Sequence, residues 1–166
     1  MLKKFVLLAF LCVPLGMIAQ EVKIAHVNTV EIFNAMPETS AAETALANLN
    51  QEVRAELQRL QSEYERKLNE LQQQQDSLSE ATKANRIKEI QEAQNRIETF
   101  YPQAEQQIAD RTKELQAPII QKIQTAIKAI GEEHGYTYMM EAGGFLFISP
   151  KAVDATSLVK AKLGLK

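Results

Sequence analysis

The chain has 166 residues, 45% hydrophobic and 24% charged, with only 6% aromatic and no Trp. That is too apolar for a disordered chain and too poor in aromatics and Gly for an ordinary β-rich globule. It suits a helix-rich protein that is long rather than round.

Part of the hydrophobicity lies at the start. "MLKKFVLLAFLCVPLGMIAQ" places Lys3 and Lys4 before an apolar run from Phe5 to Val13, then Pro14, Gly16 and Ala19. This is the layout of a secretory signal peptide over residues 1–19, with cleavage after Ala19. The run is short of the ~18–20 residues that span a bilayer, which argues against a membrane anchor. Cleavage removes Cys12, the sole cysteine, so the exported fold is expected to be held by packing alone. It also shifts the charge balance from 19 against 21 to 17 against 21, a net −4. No basic patch points to nucleic acid. Membrane contact is compatible with this charge but not indicated by it.

The next segment, "VKIAHVNTVEIFNAMPE", predicts a short strand at 22–27, apolar on both faces. Asn28 or Thr29 can cap a short helix with Val30, Ile32 and Phe33, ending before Pro37.

From Glu38 to about Glu133 the pattern is helical. No Gly or Pro occurs between Pro37 and Pro102. Ser40 and Glu43 form an S-x-x-E capping box. Apolar residues then recur at Leu46, Leu49, Val53, Leu57, Leu60, Tyr64, Leu68 and Leu71. A second set runs through Ile97, Tyr101, Ala104, Ile108, Leu115, Ile119, Ile123, Ala126 and Ile130. The steps make an eleven-residue repeat of ~3.67 residues per turn, which keeps paired helices nearly straight. Between the sets, the stripe positions Gln75, Ser79, Thr82 and Arg86 are polar. The register does not slip there, so periodicity alone fits either a hairpin or a single rod.

The last segment predicts strands at Tyr136–Glu141 and Phe145–Ser149 joined at Gly143-Gly144 as a β-hairpin. A final helix with Leu158, Val159 and Leu163 follows, capped by Asp154 or Thr156 and ending at Gly164. A lone strand and a two-stranded ribbon are each marginal, and together they make a viable three-stranded sheet. A rod would hold them more than ~100 Å apart, whereas a helical hairpin returns them to one place. The reversal is expected near 76–82, with Ser77 and Glu80 as a second capping box. Each arm, 40–75 and 80–115, is then ~54 Å long, and a helix over 116–133 runs into the body. Pro102 and Pro118 are expected to bend the returning arm, or, for Pro118, to open a new helix.

Catalytic signatures are missing. There is no phosphate-binding loop, and Gly143-Gly144 reads as a turn. His26 and His134 have no Cys or His at ligand spacing, and His26 fits a core or interface role. The carboxylates are spread over helical faces among Lys and Arg. The expectation is no catalytic residue, no cofactor, no metal and no enzyme. Surface remains: Phe100, Ile120 and Ile127 lie off the strict stripe, and Phe33 and Met36 lie near the body. Leftover apolar groups on so thin a scaffold imply contact with further copies or with a client.

The order of these segments resembles the Skp/OmpH family of periplasmic chaperones. The residues that carry the likeness are "KIAHVNTVEIFNAMPE" after a signal peptide, a coil without Gly or Pro, "IQKIQTAIKAIGEEHGYTYMMEAGG", and "AVDATSLVKAKL". The resemblance implies a mostly α fold with a small β body (α+β), assembled as a jellyfish-like trimer. Residues 20–39 and 116–166 then form the β-rich oligomerisation body, and residues 40–115 form a coiled-coil tentacle. It implies an ATP-independent holdase that keeps unfolded outer-membrane proteins in a cavity between tentacles. Met36, Phe100, Tyr101, Ile120 and Ile127 become candidate client contacts. Ile24, Val27, Tyr136, Tyr138, Met140, Phe145 and Phe147 become candidates for the body and its subunit interface. One departure stands out from the strongly basic family members: residues 38–118 hold 10 basic and 15 acidic residues. Lipopolysaccharide binding is therefore not expected, and client capture falls to apolar contact and cavity shape. The alternative reading is a coiled-coil spacer or adaptor of the cell envelope.

Overall fold

The computed structural model describes residues 22–74 and 76–165. The signal peptide expected at 1–19 lies outside the described residues. The chain forms β1 (Ile24–Val27), α1 (Thr29–Ala35), α2 (Pro37–Gln74), α3 (Glu80–His134), β2 (Tyr138–Glu141), β3 (Val153–Asp154) and α4 (Thr156–Lys162).

α1 begins where Asn28 accepts a bond from the Glu31 N–H through its side chain at 2.9 Å, a standard N-cap. It ends at Ala35 with Met36 as its cap, and α2 starts immediately at Pro37. Proline suits that place because the first-turn N–H has no helical acceptor anyway. The predicted Ser40–Glu43 capping box is therefore unused: the helix is already one turn old at Ser40, whose carbonyl accepts from the Thr44 hydroxyl.

α2 and α3 pack against each other as an antiparallel hairpin, so the single rod is excluded. α2 stops at Gln74, and Ser79 caps α3 by accepting from the Thr82 N–H. The second predicted capping box is thus displaced by two residues; Ser77 instead bonds back to the Gln74 carbonyl. The seam follows the predicted stripe over most of its length, but Tyr101, a stripe residue, is exposed. Ala42, Leu60, Ala93 and Ala104 are the buried apolar members of the seam in the arm, and three of the four are alanines that let the helices approach closely.

α3 is continuous for 55 residues and carries both Pro102 and Pro118 inside it. No new helix begins at Pro118, so arm and body share one uninterrupted helix. Each proline leaves the carbonyl four residues earlier, at Glu98 and Glu114, without its helical donor. α3 ends at Gly135 with a left-handed φ of 66°, where the Tyr136 N–H bonds to the Gly131 carbonyl and closes the helix.

The sheet has the order β2-β1-β3, and β1 is parallel to both neighbours. This corrects the predicted C-terminal β-hairpin. Two-residue hairpin turns need positive φ, but among the described residues the only glycines with positive φ are Gly135 and Gly164. Gly143 and Gly144 lie instead in a 3-10 turn, Ala142–Gly144. The segment 145–149 leaves without pairing, and the third strand forms later, at Val153–Asp154. The Ala155 N–H then bonds to the His26 carbonyl at 2.9 Å, leading into α4. Asp154 accepts from the Thr156 N–H at 2.8 Å, so the expected cap acts from two residues before the helix.

The core sits where the arm enters the body. Val27 from β1, Ile32 from α1, Met36 at the junction of α1 and α2, Ala42 from α2, Ile119, Ile123, Ala126 and Ile130 from α3, and Val159 from α4 form one buried cluster. Two buried threonines serve this junction: Thr156 accepts the Asn28 N–H, and Thr39 donates to the Phe33 carbonyl. Among the described residues no buried polar side-chain atom lacks a partner.

Removal of Ile119, which is 2% exposed, is expected to cost about 2–5 kcal/mol as Ile119→Ala. Leu68→Ala, on the half-buried distal seam, is expected to cost clearly less. Urea unfolding followed by circular dichroism compares the two.

Candidate client-binding and assembly surfaces

Strand alternation divides the body into two faces. Ala25 and Val27 point into the core, while Ile24 and His26 point out. Parallel pairing sets Ile24 beside Tyr138 and His26 beside Met140, so the outer face carries Ile24, Tyr138 and Met140, all about half exposed or more. The unpaired segment 145–149 adds Leu146 and Phe147, the latter 79% exposed. Phe145, Phe147 and Ile148 wall a pocket of about 270 Å3 with Ile24, His26 and Val153. His26 Nε2 lies 3.8 Å from the Asp154 carboxylate. The Thr156 hydroxyl and N–H, and then His26, hold the Asp154 carboxyl below the usual range.

A second apolar surface lies at the root of the arm. Val30 and Phe33 of α1 face Ile120, Ile123 and Ile127 of α3 across a groove of about 270 Å3. Val30 and Ile120 are exposed there. A third surface is a groove of about 970 Å3 between the arms, with Leu49 and Glu52 on α2 and Pro102, Gln107 and Asp110 on α3.

The predicted contacts thus divide. Tyr101 and Ile120 are exposed, Phe100 is half-buried, and Ile127 packs partly on the core. Met36, only 4% exposed, belongs to the core and offers nothing to a client; it lies between two helices that meet without a linker. Val27, at 2%, is likewise core within one chain rather than subunit surface. Ile24, Tyr138, Met140 and Phe147 are exposed, while Tyr136 and Phe145 are half-buried. Sequence reasoning missed Val30 and Leu146 as surface. The signal for Leu146 was available: a strand apolar on both faces needs neighbours on both, and this body has none left to give.

Ion pairs bridge the arms at three levels. Lys122 meets Glu38 at the root, Arg96 meets Glu63 midway, and Lys67 meets Glu89 towards the tip. The Lys122 bond lowers the Glu38 carboxyl below its ordinary value, and the Lys67 bond does the same for Glu89. Among the described residues no helix is long and apolar enough to cross a membrane, and no cluster of His, Cys, Asp and Glu is set to hold a metal.

The chain is thus an elongated helical hairpin on a small sheet, with apolar surface open in both parts, and patches of this kind mark interaction sites. The family profile described as "Outer membrane protein (OmpH-like)" matches residues 23–163. The chain belongs to the OmpH-like family, whose members are chaperones and not enzymes. It is 28% identical over 141 residues to the "Chaperone protein Skp" of Photorhabdus luminescens, covering 84% of this chain and 86% of that one. It is 27% identical over 160 residues to the "Chaperone protein Skp" of Escherichia coli K12, covering 94% and 96%. The fold is shared with a crystal structure from Caulobacter crescentus described as a candidate OmpH-like outer membrane chaperone. The TM-score is 0.74 at 14% identity, covering 84% of this chain and 82% of that one.

Acid should loosen the arms. Glu38 and Glu89 are lowered in the folded chain, so their contribution is present above the ordinary glutamate value of ~4.3. It is lost as pH falls through the lowered values. The urea midpoint is expected to drop below about pH 4, and Glu89→Gln should remove part of that drop. The effect is small because both carboxylates remain partly open to solvent.

Proposed function

We propose that the chain is an ATP-independent periplasmic holdase that binds unfolded outer-membrane proteins between the arms of a homotrimer. The observation that carries this reading is the apolar surface left open on a chain whose core is already closed. A single protomer has nothing to cover the outer sheet face of Ile24, Tyr138, Met140 and Phe147, and patches of this kind mark interaction sites. Three copies meeting there bring three arms around one space. Within it, the exposed side chains of Tyr101, Ile120 and Val30 offer many weak apolar contacts rather than one strong site.

Weak contacts in number suit an unfolded client. They raise the local concentration of binding surface and cover strand edges that otherwise aggregate. Release needs no nucleotide, because folding into the membrane withdraws the client from the equilibrium. Export to the periplasm fits the signal-peptide layout at the start of the sequence and the periplasmic setting of the family.

The test is light scattering of an unfolded outer-membrane barrel diluted into buffer. The protein without residues 1–19 is expected to suppress aggregation at about one trimer per client. Unchanged aggregation at several-fold excess overturns the reading. Sedimentation gives the assembly: Phe147→Glu with Tyr138→Glu, both on exposed positions, is expected to convert trimer to monomer while helicity is kept. A double variant that still sediments as a trimer places the interface elsewhere.

A further inference from the structure

We propose that the groove between the arms docks an extended segment of polypeptide carrying lysine or arginine. This rests on the chaperone reading above and names the chemistry of the client segment that one arm selects.

The starting point is charge. Residues 38–118 carry a net charge of −5, from 10 basic and 15 acidic residues. Ion pairs in the structure decide where that excess sits. Among the described residues, eight of the ten cations there have a carboxylate partner, leaving Arg54 and Lys113. The sequence also separates the charges along the arms. Residues 39–53 of α2 contain no Lys or Arg, and neither do residues 97–110 of α3. The ion pairs Glu63–Arg96 and Glu38–Lys122 set the two stretches opposite each other over part of their length, around Glu52 and Asp110, and between them they hold Glu43, Glu52, Glu98, Glu105 and Asp110. None of these five has an ion-pair partner among the described residues.

The groove of about 970 Å3 lies within this zone. Leu49, Ala45 and Pro102 supply its apolar surface, and Glu52, Asp110 and Glu114 supply carboxylates. Its one lining cation, Arg111, is bonded to Glu114 at 2.8 Å. The amides of Gln103 and Gln107 line it without a bond to any described residue. From Pro102 to Glu114 the wall is roughly 18 Å long, which spans about five residues of extended chain. An extended segment alternates its side chains. Apolar groups can then meet Leu49 and Pro102 while cationic groups meet Glu52 and Asp110. Backbone amides of the segment can bond to Gln103 and Gln107 whatever its sequence. An anionic segment meets uncompensated like charge along the same wall.

The experiment uses two short labelled peptides, one alternating apolar residues with Lys and one alternating them with Glu. Binding to the mature protein is followed by fluorescence anisotropy at low and high salt. The Lys peptide is expected to bind at least about three-fold more tightly, with the difference fading at high salt. Glu52→Gln with Asp110→Asn is expected to erase the preference; both sites are exposed, and circular dichroism checks that folding is kept. Glu65→Gln, on an unpaired carboxylate farther out on α2, is expected to leave it unchanged. Equal binding of the two peptides overturns the proposal, as does an equal effect of Glu65→Gln. Aggregation suppression by the unaltered protein is read separately. If it is present without the peptide preference, only the groove proposal falls; if it is absent while the preference holds, the chaperone reading falls.

Discussion

Everything else in the fold depends on β1 being paired on both sides by strands that come after the arm. Four residues hold the two ends of the long excursion together, and no other strand could. β2 and β3 each pair with β1 and not with each other. The bonds next to the sheet show the distance involved: the Thr29 N–H meets the Glu141 carboxylate across 112 residues, and the Asn28 N–H meets Thr156 across 128. A three-stranded sheet of such short strands is marginal alone. It persists because Val27 belongs to the same buried cluster as Ile119, Ile123 and Ile130. The end of the arm's second helix thus serves as the floor of the body.

Most of the helical architecture was legible because a stripe of Leu and Ile has one period and one meaning. The hairpin itself came from a different argument, the need of a lone strand for partners, and that need was real. The partners were misassigned. Phe145–Ser149 has a good strand composition, but a ladder also needs a turn that reverses the chain. The two glycines do not supply one, since neither takes a positive φ. Local pattern cannot reveal that Val153–Asp154, only two residues long, wins the place instead. The caps went astray for a related reason. Ser40 and Ser77 have the correct chemistry, but Pro37 and Ser79 stand where the chain enters each helix.

The candidate surfaces were legible in part. An off-stripe position says that a side chain is free of the seam, not that it is free altogether. Ile120 is open to solvent, whereas Met36 is enclosed by the helix junction; Tyr101, on the stripe, is exposed all the same. Charge told more than apolarity here. The acidic excess seen in composition becomes, through the pattern of ion pairs, a local property of one section of the hairpin.

The uninterrupted passage of α3 from tip to body has a consequence for the order of folding. Closing a loop of more than a hundred residues costs entropy that falls by about 0.6 kcal/mol each time the loop is halved. Zipping α2 onto α3 from the turn shortens the remaining loop step by step, starting with contacts such as Lys67 to Glu89, 22 residues apart in the chain, and ending with Glu38 and Lys122. When the zipper reaches its root, β1 is delivered to β2 with little left to close. The arm that reaches outward is also the device that brings the two ends of the chain together.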